Sequence, residues 1–226
     1  CQSIYLEKIP LKVADLYSDN YFALAAGHAE LNQEDRIGYE DSYEYIYRDS
    51  EFYWAFRLCD YILNNVSNRE ESKRCLDIGA ATGRLLNVFR AAGYQTYGIE
   101  FSAPARNAAA SLGHSMTDQA IGSLQIEHDG FCVVTALEVI EHVEDLPGFF
   151  SGISKVMTED GIFLGYFPSA DNRYFGATND YHWLHNSFEH LIYPTEQGIC
   201  SAMRASFGNN IFTTTFLTVQ GEDVIP

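Results

Sequence analysis

Three stretches of this chain put acids and imidazoles where they could do chemistry. In Asp77-Ile-Gly79-Ala-Ala81-Thr-Gly83, an acid inside an apolar run leads into a turn rich in small residues. In Glu138-Val-Ile-Glu141-His142, two carboxylates and an imidazole stand at i, i+3 and i+4. In Ser187-Phe-Glu189-His190-Leu-Ile-Tyr-Pro194, a second acid–imidazole pair lies in an aromatic setting. The first pattern suits a nucleoside-type cofactor, whose cradle is a strand, a Gly-rich turn and a helix. The second set shares one face if the backbone turns helically. It could then hold Mg²⁺ or Zn²⁺ with His190 closing from elsewhere. Equally, Glu138 could sit by the cofactor while the rest caps the next helix. The third pair offers a general base.

The elements that must position these groups can be read from pattern. Cys75 to Ile78 is a short apolar strand, and Leu85, Leu86, Val88 and Phe89 mark the buried face of the following helix. Gln95 to Glu100 is the next strand, ending in an acid about 20 residues past the turn, the spacing of a ribose-binding carboxylate. Taken alone, Glu100 would be an ordinary solvated acid. Pro104 to Leu112 is a helix closed by Gly113, and His114 to Thr117 is a third strand followed by Asp118. Phe131 to Leu137 is a buried strand. Asp145 and Pro147 start a helix whose apolar stripe is Leu146, Phe149, Phe150, Ile153 and Met157. Glu159-Asp160-Gly161 is expected as a turn into a fifth strand, Ile162 to Phe167. The alternation predicts an α/β fold with a doubly wound, mostly parallel sheet. Residues 168–194 form a long interruption, expected as a lid. Thr195 opens a helix ending at Gly208, and Ile211 to Val219 is expected as a sixth strand, with no clear seventh.

Together these motifs resemble class I S-adenosylmethionine (SAM)-dependent methyltransferases, over roughly residues 74–198. Their first motif is acid-x-Gly-x-Gly-x-Gly, and the glycine slots here hold Gly79, Ala81 and Gly83. Ala81 departs from the pattern and is expected to keep a negative φ with its methyl clear of the cofactor. A dinucleotide fingerprint fits worse: its second and third glycines would be Ala81 and Arg84. The resemblance implies a Rossmann-like methyltransferase domain over 73–226, a helical, Tyr-rich cap over 1–72, and the lid at 168–194. It implies Asp77, Gly79, Ala81, Gly83, Glu100, Asp118, Leu137 and Glu138 as cofactor-binding, with Glu100 on the ribose and Asp118 near the adenine. It also implies that Tyr45, Tyr47 or Arg48 could reach the cofactor carboxylate. The branch resembled includes ubiquinone-pathway O-methyltransferases and sugar and natural-product methyltransferases. In the sugar methyltransferases His or Glu acts as base at this point, and that resemblance implies His190 and Glu189 as catalytic here. The expectation is catalysis without metal; the alternative is the set Glu138, Glu141, His142 and His190. The Tyr often found two residues before the Glu is Ser187, and the acid common in the fourth strand is Cys132.

Composition narrows the function further. The 226 residues are 46% hydrophobic, enough for a full core. Thirty-one acids face 14 bases, a formal net charge of −17. A nucleic-acid binder needs a basic surface, so a small-molecule acceptor is expected instead. No apolar run approaches the ~18 residues of a membrane span. Five scattered cysteines without a C-x-x-C suit a reducing, cytoplasmic setting. Cys1 could be the remnant of a preceding zinc module in a longer protein. The expected activity is methyl transfer from SAM, leaving S-adenosylhomocysteine (SAH), to a hydroxyl oxygen or sugar carbon. A catalytically silent SAM-binding module is the alternative.

Overall fold

The computed structural model describes residues 4–5, 63, 73–126, 129–171, 190–207, 218–220 and 223–225. A two-residue strand, β1 (Ile4–Tyr5), opens the described chain. The main sheet uses β2 (Arg74–Ile78), β3 (Gln95–Ile99), β4 (Ser115–Thr117), β5 (Phe131–Leu137) and β6 (Met157–Tyr166). Its order is β4-β3-β2-β5-β6, and every pairing is parallel. Helices α1 (Arg84–Ala91), α2 (Ala103–Ser111) and α3 (Leu146–Val156) connect successive strands.

Strand alternation sends neighbouring residues to opposite faces. Leu76, Ile78, Val134 and Ala136 join Phe149, Phe150, Ile153 and Val156 of α3 in one cluster. Cys75 and Val133 join Leu86 and Phe89 of α1 in another, to which Leu63 adds from outside. The sheet is therefore covered on both faces, as a doubly wound fold requires. Phe150 is fully buried, and burial of a side chain of this size contributes roughly 1.5–3 kcal/mol. Cys132 donates its thiol to the Arg74 carbonyl, a packing role between neighbouring strands.

Local chemistry sets the helix starts. Asp145 accepts from the Gly148 N–H at 3.0 Å, capping α3, and Pro147 needs no partner in the first turn. Thr195 does the same for α4 (Glu196–Phe207), accepting from the Gly198 N–H at 3.0 Å. The Ser206 hydroxyl donates to the Pro147 carbonyl at 2.8 Å and ties α4 to α3.

Two elements differ from expectation. Residues 159–161 do not form a plain turn before a strand: β6 starts at Met157 and carries an irregularity. Phe131 pairs with Met157 but Val133 pairs with Ile162, so the extra residues bulge from β6, whose one partner among the described residues is β5. At the other end, β8 (Thr218–Gln220) pairs antiparallel with β9 (Asp223–Ile225) rather than joining the main sheet. Residues 211–217 of the expected sixth strand lie outside the described residues. A further strand, β7 (Ile192–Tyr193), pairs antiparallel with β1.

Candidate active site

The sheet order places β2 beside β5, strands not consecutive in the chain. Ligands of open α/β sheets bind at the carboxyl ends of strands at such a switch point. The turn after β2 lies there. Its first two N–H groups, from Gly79 and Ala80, both donate to the Ile99 carbonyl, at 2.9 and 3.0 Å. Gly79 has φ +73°, and a Cβ there would come 2.6 Å from Cγ2 of Val139. Gly83 has φ +80°, and its Cβ would meet His114 and Ala109 at 2.7 and 2.9 Å. Both positions demand glycine on conformation and on space. Ala81 does not keep the expected negative φ: it stands at +45°. The reason is on its amide, because the Ala81 N–H points at Glu100 and donates to Oε2 at 2.9 Å.

Glu100 closes β3 and is buried. Its Oε1 accepts from the Ser102 N–H at 2.8 Å. Backbone N–H groups, including that of Phe101, thus take part of the acceptor capacity of the carboxylate. Burial pushes the Glu100 carboxyl up, while the Ser102 and Ala81 N–H groups and Arg106 pull it back. Asp77 lies one strand over. Its Oδ1 accepts the Thr135 hydroxyl at 2.7 Å. Burial raises Asp77 to about 7, against the Thr135 hydrogen bond and with a smaller push from Glu100. Asp118 is 64% exposed and pairs with Arg106 at 3.3 Å. Leu137 ends β5 half-buried.

A second group of side chains lies beyond the end of β5. Glu138 adopts φ +54°, and its N–H donates to the Tyr166 carbonyl. A short 3₁₀ turn, Ile140–His142, follows. The chain therefore does not run helically from Glu138 to His142, and the expected one-face geometry arises differently. Glu141, His142 and His190 converge, with one ligand atom from each mutually within 4.8 Å. Glu138 is exposed at the rim of this set. The Leu191 N–H donates to the Glu141 carbonyl at 2.7 Å and carries His190 to the strand end. The rings of His142 and His190 meet edge to face at 5.0 Å, and Tyr193 packs on His190 at 5.7 Å.

Glu141 is the most constrained group here. It is 0% exposed, and the groups that bear on its carboxyl are the Glu138 carboxyl and its own backbone N–H. The nearest cation candidate, Nε2 of His142, stands 3.9 Å from Oε1. Burial, then the neighbouring Glu138 charge, hold Glu141 well above the ordinary carboxyl range. Burial, then Glu138 and Glu141, raise the Tyr166 phenol to about 12.

The ends of the 168–194 insertion are fastened to each other. The Ala170 N–H and Ser169 hydroxyl both donate to the Pro194 carbonyl, at 2.9 and 3.3 Å. The Glu196 N–H donates to Asp171 at 2.7 Å. Glu189, Tyr45, Tyr47, Arg48, Cys1 and the interiors of the cap and lid lie outside the described residues.

Several residues at the site carried no motif. Thr135 braces Asp77. His114 bridges Thr96 at 2.8 Å and Asn87 at 3.2 Å behind Gly83. Arg106 reaches three oxygens around Glu100. A lone hydroxyl, imidazole or guanidinium in a strand or helix has no pattern to betray it.

The carboxyl-end switch point, the two-glycine turn and the acid closing β3 together define a cofactor-binding methyltransferase fold. Residues 53–208 match the family model described as a methyltransferase domain, and this chain belongs to that family, the class I SAM-dependent methyltransferases. Among curated proteins it is similar to the ubiquinone biosynthesis O-methyltransferase of Rhodopseudomonas palustris strain BisB5. The two are 36% identical over 96 residues, which is 40% of this chain and 38% of that protein. The Bradyrhizobium protein of the same name is 32% identical over 96 residues, again 40% of this chain and 38% of that protein. The matched region thus spans about two-fifths of these relatives. Among solved structures, Haemonchus contortus phosphoethanolamine N-methyltransferase 2 in complex with SAM superposes at TM-score 0.60 with 16% identity, over 87% of this chain and 44% of that one. A SAM-dependent methyltransferase of Thermotoga maritima superposes at 0.55 with 14% identity, over 74% and 76%. These likenesses are of fold.

SAM is the cofactor of this class, and the carboxylate of Glu100 fits its ribose. When bound, SAM supplies a methyl group activated on a sulfonium, with SAH as leaving group. The acceptor chemistry falls to the protein. No described helix is long and apolar enough to cross a membrane.

Proposed function

We propose that this chain moves the methyl group of SAM to a hydroxyl of a small molecule lying against Glu138, Glu141, His142 and His190. The observation that carries this reading is Glu141: a fully buried carboxyl faces two imidazoles beyond the end of β5, the strand that pairs with β2. Methyl transfer is an in-line displacement, so the protein mainly orients the acceptor and withdraws its proton. His190 stands over the strand end and is the group proposed to take that proton. Cofactor roles are proposed for Asp77, Gly79, Ala81, Gly83, Glu100, Asp118, Leu137 and Glu138. The acceptor pocket would lie between the N-terminal segment, 1–72, and the insertion, 168–194. The β1–β7 pairing supports that arrangement, because it joins the two segments next to His190.

One observation favours a second account of the activation step. One carboxylate and two imidazoles within 4.8 Å are a donor set that fits a divalent cation. A carboxyl buried beside a second carboxyl is costly to ionise, and a cation would relieve it. Glu141, His142 and His190 would hold the ion, whose contribution would be to lower the pKa of the acceptor hydroxyl.

One experiment separates these accounts. SAM-dependent methylation of a panel of phenols, catechols and sugars is measured before and after chelation, alongside calorimetric titration of Mn²⁺ and Zn²⁺ into the parent and Glu141→Gln. Activity lost on chelation, restored by a cation and tied to binding that Glu141→Gln abolishes supports the metal account. Chelator-insensitive activity leaves His190 as base. Methylation found only on carbon or nitrogen acceptors overturns the hydroxyl assignment.

A further inference from the structure

Arg106 lies on α2 and makes no contact with the strand-end acids through its own backbone. Its guanidinium nevertheless links three structural pieces. Nη1 donates to the backbone carbonyls of Glu100 at 2.8 Å and Phe101 at 3.0 Å. Nη2 stands 3.3 Å from Oδ2 of Asp118. The Arg106 side chain is only 20% exposed, so its place is set by packing as well as charge. The planar fork of a guanidinium fixes the angle between its partners, which an ammonium cannot do.

We infer that Arg106 is a positioning residue for the adenosine half of the cofactor site, holding the ribose-side acid Glu100 and the adenine-side residue Asp118 at a fixed spacing. This rests on the proposed roles of Glu100 and Asp118. Two features of the surroundings give it force. The Glu100 carboxylate is itself fixed from the other side, by the Ala81 and Ser102 N–H groups, so its orientation depends on where the Glu100 and Phe101 backbone sits. The Glu100 N–H also donates to the Thr117 carbonyl at 2.9 Å, immediately before Asp118, so Arg106 closes a loop of contacts around the ends of β3 and β4.

Arg106 has an electrostatic role as well. Glu100 is buried, and burial favours its neutral form. The charge of Arg106, from α2, opposes protonation of Glu100. A carboxylate that accepts two ribose hydroxyls must be ionised, so loss of Arg106 should make cofactor binding fade as pH falls.

The test is calorimetry on the full chain with SAH and with 2′-deoxy-SAH, from pH 6 to 8.5. In Arg106→Gln, SAH should bind about 10-fold more weakly at pH 7.5, the loss expected for about one charge-assisted interaction. The loss should grow toward pH 6, and the preference for ribose over 2′-deoxyribose should shrink. Arg106→Lys keeps the charge and should keep the parent's pH profile while losing part of the ribose preference. In a Glu100→Gln background, Arg106→Gln should cause no further change in ribose preference. Should Arg106→Gln not fold, Asp118→Asn cuts the same link from the other end and should weaken SAH about 3-fold. Unchanged affinity, ribose preference and pH profile in Arg106→Gln, or unchanged affinity in Asp118→Asn, overturns the inference and leaves the SAM site standing. A parent chain that binds no SAH overturns the site assignment and this inference together.

Discussion

Ala81 and Glu100, nineteen residues apart, are joined by a hydrogen bond from the Ala81 N–H to Oε2 of Glu100 at 2.9 Å. The bond explains why an alanine stands in the left-handed region at the middle glycine slot. The acid that closes β3 draws the amide toward it, and the methyl bears the conformational cost.

That cost can be measured. A non-glycine residue in this region is disfavoured by roughly 1–2 kcal/mol, and the extra freedom of glycine in the unfolded chain returns part of it. Ala81→Gly should therefore raise the unfolding free energy by about 0.5–1 kcal/mol. SAM affinity should stay within about 3-fold, because the Glu100 hydrogen bond comes from backbone. Denaturant unfolding and calorimetry test both halves. A destabilised Ala81→Gly would mean that the alanine methyl packs usefully, against the strain account.

Acidification should stabilise the cofactor-free protein. Burial raises the Asp77 carboxyl to about 7 in the folded protein, against an ordinary 3.8 in the unfolded chain. Between those values the folded state holds a proton that the unfolded state has released, so stability rises as pH falls from about 7 to 4. Above pH 7 the ionised, buried Asp77 carries its full penalty. Asp77→Asn keeps an acceptor for Thr135 and removes that penalty. It should stabilise the protein at pH 8 by roughly 2–4 kcal/mol and have little effect at pH 4.5. Thermal melts of parent and variant across this range give the answer. Parallel pH profiles would show that Asp77 is not the group responsible.

His190→Ala should separate chemistry from cofactor binding. Loss of a group that activates the acceptor lowers turnover by about 10²–10⁴-fold. His190 lies past β5 with Glu141 and His142, not on the turn that carries Ala81 and Gly83, so SAH affinity should change little. Single-turnover methyl transfer and SAH calorimetry on the same variant provide the comparison. Turnover near that of the parent would remove His190 from the activation step.

The sequence by itself determined the strand–turn–helix at Asp77–Gly83, the acid at the end of β3, the cap at Asp145 and the helix from Thr195. These follow from local rules: apolar runs of strand length, glycines where φ must be positive, and side-chain oxygens placed to meet free N–H groups. The apolar runs Cys75–Ile78 and Phe131–Leu137 marked buried strands, but which residues face each layer came only from the packed helices. Tertiary structure decided the rest. The conformation of Ala81 depends on a carboxylate nineteen residues away. The bulge at the start of β6 depends on its pairing with β5, whose regular register begins at Ile162. The pairing of Ile192–Tyr193 with Ile4–Tyr5 brings together segments almost the whole chain apart. That pairing and the Leu191–Glu141 bond carry His190 to Glu141 and His142, because only the folded chain makes a neighbour of a residue forty-eight positions downstream of His142.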